Sequence, residues 1–148
     1  MRETVEPTLP PATERASYSI WSHDKLRYCD TDSQGHVNNA VFATFCETGR
    51  VSFLYDDELN LRGPGAIFVL ARLEIDYRAE LFYPGQVDIG TRVLSVGRTS
   101  FRVGQGVFEG DTCAATAETV LVLMDDATRK AKPLTPQLRQ WLEARLAR

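Results

Sequence analysis

Between Ile67 and Met124 the chain writes one pattern four times: a long apolar or alternating stretch, then a break built on Gly or Pro. Ile67–Tyr77, Gln86–Val96, Ser100–Glu109 and Thr112–Met124 read as strands, with breaks at Pro84-Gly85, Gly97 and Gly110-Asp111. Short connections favour an antiparallel meander, because parallel neighbours need a long crossover. Ahead of these strands lies a single helical period. Val37, Val41, Phe45, Gly49 and Phe53 recur every four residues, with Phe42 and Cys46 beside them. The spacing predicts a helix from about Asn38 to Tyr55, capped by Asn38 or Asn39. Gly49 costs about 1 kcal/mol inside a helix, and close approach of the helix to a sheet would offset that cost. Tyr18–Tyr28 reads as a first strand. Thr135 and Pro136 open a last helix, with Leu138, Trp141, Leu142 and Leu146 along one face. The class is α+β, a sheet wrapped around one long helix with outer strands exposed. Exposed edges favour pairing with a second copy, so a homodimer or homotetramer is expected.

The 148 residues suit one domain. Residues 1–16, rich in Pro, Thr and Glu, are expected to be a loose tail, and 17–148 the folded unit. A net charge of −3 argues against nucleic-acid binding. No apolar run approaches the roughly 18 residues of a membrane span, and no apolar signal core opens the chain. Three widely spaced cysteines, Cys29, Cys46 and Cys113, fit neither a disulfide framework nor a C-x-x-C knuckle. They read as small hydrophobes in a reduced, cytoplasmic setting.

The chemistry concentrates in Asp30–Asn39, where two aspartates, a glycine, a histidine and two asparagines precede the helix. Asp32 falls just before a helix N-terminus, whose free N–H groups can hold developing negative charge. A carboxylate beside an oxyanion site is the minimum equipment for hydrolysing an ester or thioester. His36 can donate a hydrogen bond to substrate or fix the loop. Asn38 and Asn39 are caps first, with a backbone N–H at that turn available for chemistry. A calcium loop is excluded because its twelfth position, Val41, is not the required Glu. Zinc lacks ligands at workable spacing. Gly104 and Gly106 lie in a strand and do not continue into G-x-G-x-x-G, and there is no G-x-S-x-G elbow. No cofactor is expected. Glu47 and Arg50, three apart, are expected to pair on the helix, with Glu47 also able to face substrate.

The run Asp30-Thr31-Asp32-Ser33-Gln34-Gly35-His36-Val37-Asn38-Asn39, with Glu47-Thr48-Gly49-Arg50 after it, resembles the hot-dog-fold acyl-CoA thioesterases of the 4-hydroxybenzoyl-CoA thioesterase type. It also resembles the related acyl-carrier-protein thioesterases. Ile75-Asp76-Tyr77, Pro84-Gly85-Gln86 and Val122-Leu123-Met124-Asp125 fit the family's strands. The resemblance implies Asp32 as catalytic carboxylate, acting as nucleophile or general base. It implies a backbone N–H near Asn39 as the carbonyl's donor, His36 as an auxiliary, and sites built where two subunits meet edge to edge. The implied substrate is an acyl-CoA, with acyl-carrier protein as the other carrier. CoA phosphates would need cations; Arg98, Arg102, Arg129, Lys130 and Lys132 are the candidates. The rival reading is a hot-dog protein that binds acyl thioesters without cutting them.

Overall fold

The structure, a computed structural model, describes residues 8–148. Five antiparallel strands, β1 (Ile20–Lys25), β2 (Ala66–Tyr77), β3 (Gln86–Val96), β4 (Ser100–Glu109) and β5 (Thr112–Asp125), form one sheet in the order β1-β3-β4-β5-β2. One long helix, α1 (Asn39–Leu54), follows β1, and a short one, α2 (Pro136–Glu143), closes the chain. Every strand and helix expected from the sequence is present. The first strand is shorter than expected, because Tyr28–Asp30 turns into a 3-10 helix.

The meander is real only for β3, β4 and β5. β2 pairs with β5 instead, Ala66 opposite Asp125 and Tyr77 opposite Ala115. The reason is the segment after β2, which leaves the sheet. The N–H groups of Arg78 and Ala79 both donate to the Ala114 carbonyl, and the Leu81 carbonyl accepts from Val37 N–H in the loop ahead of α1. Pro84-Gly85 thus ends a crossover rather than a hairpin.

α1 lies against the sheet face that carries Ile89 and Gln105. A Cβ on Gly49 would come within 2.5 Å of Ile89 Cγ2 and 2.7 Å of Gln105 Nε2, so only glycine lets the helix sit this close. The core falls into two clusters. One, at the loop end, holds Leu26, Val37, Phe42, Phe45, Leu81 and Ile89. The other, at the far end, holds Phe53, Leu61, Phe101, Leu123, Leu138 and Leu142 and takes in α2. Cys46 is in the core, its thiol pushed up to about 11 by burial, whereas Cys29 is exposed.

The tail expected to be loose begins to be held well before residue 17. Arg92 Nη1 donates to the Pro10 carbonyl at 2.7 Å, Tyr18 Oη to Ala12 O at 2.6 Å, and Arg15 pairs with Asp88 at 3.1 Å. Tyr18 anchors this strap, because Gly90 beneath it has no side chain; a Cβ there would lie 2.7 Å from the ring. Residues 1–7 of the expected tail lie outside the described residues.

Candidate active site

β1 and β3 end together, Lys25 opposite Gln86, and the loop that follows β1 sits at that end of the sheet. Its first anchor is Asp30, 2% exposed. Burial pushes its carboxyl pKa up, but hydrogen bonds from the Arg27 guanidinium and backbone N–H, each 2.8 Å at the shortest, outweigh burial and the net direction is down. The Asp30 carbonyl accepts from Asn38 N–H at 2.8 Å. The second anchor is a tight turn at Asp32, whose N–H meets the His36 carbonyl at 3.1 Å and whose C=O accepts from Gly35 N–H at 3.0 Å. Gly35 has φ +86°, a conformation that suits glycine.

The Asp32 side chain is fixed from two sides. Oδ1 accepts from Gln34 N–H at 2.9 Å, and Oδ2 from Asn38 Nδ2 at 3.1 Å. Asn38 is also the helix cap, its Oδ1 accepting from Ala40 N–H at 2.9 Å. One amide therefore ties the carboxylate to the helix mouth. Val41 N–H donates to the Asn38 carbonyl at 3.0 Å, which leaves the N–H of Asn39 without a partner among the described residues.

Asn39 also lines a cleft of about 310 Å³, together with His36, Phe42, Tyr77, Arg78, Ala79 and Glu80. No local pattern marks Tyr77 or Glu80 as site residues. Tyr77 Oη donates to the Asn39 carbonyl at 3.0 Å, and its ring meets Phe42 edge-on at 5.3 Å. Glu80 Oε1 lies 2.9 Å from His36 Nδ1, while His36 Nε2 is 3.7 Å from Asp32 Oδ2. Glu80 and His36 are 44 residues apart in sequence, so no local pattern could pair them. Asp32 is not among the residues that line this cleft, and its side chain is 24% exposed.

One expectation needs revision, and the cation candidates lie apart from the cleft of their own chain. Glu47 and Arg50 do not pair. Arg50 turns inward to Gln105 Oε1 at 3.2 Å, and Glu47 faces a separate groove with Trp21 and His23. Glu47 is also two turns down α1 from Asn39, roughly 12 Å along the axis, away from the cleft. Arg102 is engaged by Glu118 at 2.5 Å. Arg98, in the β3–β4 turn, lies at the end of the sheet opposite Asp32, as do Arg129, Lys130 and Lys132 beyond β5. Within one chain none of these cations is brought to the cleft. Among the described residues no three His, Cys, Asp or Glu side chains converge as a metal would need.

A hollow sheet around one helix, with an anion-ready helix mouth at a cleft, defines a class that comparison with known proteins makes specific. The sequence profile of the thioesterase-like superfamily matches residues 26–142. The chain belongs to that superfamily, and the hot-dog fold and acyl-CoA thioester hydrolysis expected from the sequence stand. Over 123 residues it is 26% identical to the 1,4-dihydroxy-2-naphthoyl-CoA hydrolase of Synechococcus elongatus, covering 80% of this chain and 90% of that protein. Its fold is similar to that of the PA5185 protein of Pseudomonas aeruginosa, with a TM-score of 0.81, 26% identity, and coverage of 90% and 96% of the two chains. It is also similar to YbaW, a probable thioesterase from Escherichia coli, with a TM-score of 0.73, 26% identity, and coverage of 86% and 99%.

Proposed function

We propose that the protein hydrolyses aromatic acyl-CoA esters with Asp32 as general base and the N–H of Asn39 as oxyanion donor. The observation that carries this reading is the helix mouth. Its first amide is free, the residue that carries it lines a cleft, and Asn38 ties the same turn to a fixed carboxylate. The thioester carbonyl oxygen accepts from Asn39 N–H. A water held by Asp32 loses a proton to the carboxylate as its oxygen adds to the carbonyl carbon. The tetrahedral intermediate then collapses with cleavage of the C–S bond, and the CoA sulfur leaves as thiolate and is protonated. Water rather than Asp32 itself attacks, because Asp32 does not line the cleft and both its oxygens already hold N–H donors. A carboxylate has about four lone-pair sites, so room for a water remains. The aromatic acyl class is supported by the Phe42 and Tyr77 rings in the cleft and by the naphthoyl-CoA named for the cyanobacterial relative.

The working unit is a homodimer joined across β2. β1 is short and carries His23, Asp24 and Lys25, which blunts that edge. β2 is 12 residues long and presents Leu70, 45% exposed, and Tyr77, 52% exposed. An antiparallel copy along β2 places the far end of its own sheet, with its cations, beside this cleft. That would add those cations to Arg78, which already lines the cleft, as partners for the CoA phosphates. An exposed, free Cys29 fits the reduced cytoplasm. A CoA ester rather than an acyl-carrier protein is the preferred carrier, and a panel of acyl groups on both carriers tests it.

The test of the chemistry compares wild type with Asp32→Asn. Loss of a general base costs on the order of 100-fold or more in kcat, with KM little changed. Single turnover in ¹⁸O water places the label in the released acid only. Label in the Asp32 carboxylate would mean direct attack, and equal turnover of the two proteins would dismiss Asp32 altogether.

A further inference from the structure

Two carboxylates bracket His36, and they are not equivalent. Glu80 Oε1 is 2.9 Å from Nδ1, a hydrogen-bond distance, while Asp32 Oδ2 is 3.7 Å from Nε2, too long for one. That spacing holds no water between the two atoms, but a water seated to the side, about 2.8 Å from each, can donate to both. An ionised carboxylate only accepts, so the nitrogen facing Glu80 must carry a proton. We propose that Glu80 is a positioning residue for the hydrolysis: it holds Nδ1–H of His36 and leaves Nε2, the nitrogen nearest Asp32, to accept from the attacking water. This rests on the reading of Asp32 as general base given above.

Glu80 is an exposed acid, but the backbone on either side of it is fixed. The backbone just before it is pinned by the N–H groups of Arg78 and Ala79 on the Ala114 carbonyl, at 2.8 and 3.1 Å. Just after it, the Leu81 carbonyl holds Val37 N–H at 2.8 Å, next to His36 in sequence. The crossover that departs from β2 therefore delivers Glu80 to the ring. The half-exposed pair adds little to stability, so its effect should appear in turnover and in the ring's proton. The role also revises His36: with Nδ1–H committed to Glu80, Nε2 is an acceptor for water rather than a donor to the thioester carbonyl.

The chain has only two histidines, so ring-¹⁵N spectra of the whole protein resolve His36, with His23 on β1 as internal control. At alkaline pH the wild type should show His36 protonated at Nδ1. Glu80→Ala should shift that signature towards Nε2–H, and Glu80→Gln, whose amide oxygen still accepts, should restore it. Turnover should follow. Glu80→Ala lowers kcat on the order of tenfold with KM little changed, Glu80→Gln recovers most of the loss, and in a His36→Ala background Glu80→Ala costs nothing more. A wild-type Nε2–H signature overturns the proposal. So does an equal loss in the His36→Ala background, or full kcat in Glu80→Ala. Asp32→Asn is assayed alongside. If it is inactive while Glu80→Ala keeps full kcat, the role of Glu80 alone fails. If Asp32→Asn is fully active, the general-base reading fails, and the role proposed for Glu80 falls with it.

Discussion

The two halves of α1 are built to opposite rules. At its start, Asn38 and Asn39 are polar, partly exposed and incompletely bonded, with one amide left open beside a cleft. Two to three turns later, Cys46, Gly49 and Arg50 are buried against β3 and β4, and Gln105 serves three partners there. Its Nε2 donates to the Cys46 carbonyl at 2.9 Å and to Thr91 Oγ1 at 3.1 Å, and its Oε1 accepts from Arg50. Arg50 is 5% exposed and has no carboxylate partner among the described residues, and burial depresses its hold on the proton. The first region keeps hydrogen-bonding capacity free for a ligand, and the second spends nearly all of it on the fold. Substitutions should separate them, one set changing turnover without stability and the other stability without turnover.

Asp32→Asn is the strongest break. A loss of on the order of 100-fold in kcat corresponds to nearly 3 kcal/mol of barrier, yet the melting temperature should stay within a degree or two, since the amide keeps the size and an acceptor oxygen. A comparable fall in melting temperature would show that the helix mouth is structural after all.

Gln105→Leu is the converse. It leaves the Arg50 guanidinium and Thr91 Oγ1 buried without a partner, at a cost of about 3 kcal/mol. Thermal unfolding should register all of it, and kcat per folded molecule should be that of wild type. An unchanged melting temperature would mean that water reaches Arg50 and the inner region is not dry.

Why one region was readable and the other was not follows from sequence distance. The helix, its Asn38 cap, the three strand bounds at Gln86–Val96, Ser100–Glu109 and the start of β5, and the place of Asp32 are all written in neighbouring residues. Gly49 was legible as a close approach because its helical cost demanded a reason. Arg50 was misread because three-residue spacing on a helix brings it near Glu47, while Gln105, 55 residues away, offers a buried acceptor that no periodicity reveals. The β2–β5 pairing and the Glu80–His36 contact have the same origin, a crossover whose path is set by hydrogen bonds to Ala114 and Val37. The N-terminal strap was missed because Pro- and Glu-rich composition says nothing about backbone carbonyls, which are what Arg92 and Tyr18 use.

Asn38→Ala sharpens the comparison, because this residue belongs to both regimes. Removing the cap costs about 1 kcal/mol. Removing Nδ2 from Asp32 frees the carboxylate, so kcat should also fall, though far less than in Asp32→Asn. Loss of stability with full kcat would show that Gln34 alone holds Asp32 in place.

The smallest effect concerns the loop's other aspartate, and it is visible only in acid. Asp30 is buried, but the Arg27 hydrogen bonds hold its carboxyl below the usual range in the folded chain. Its unfolded value is about 3.9. A group depressed on folding contributes stability that is fully present above the unfolded value and disappears as pH falls through the folded one. Wild type should therefore be more stable than Asp30→Asn at neutral pH, and the gap should narrow as pH drops below about 4. Melting temperatures of the two proteins across that range give the answer. A gap that stays constant into strong acid would mean that Asp30 holds the loop by shape and hydrogen-bond count, with its charge contributing nothing.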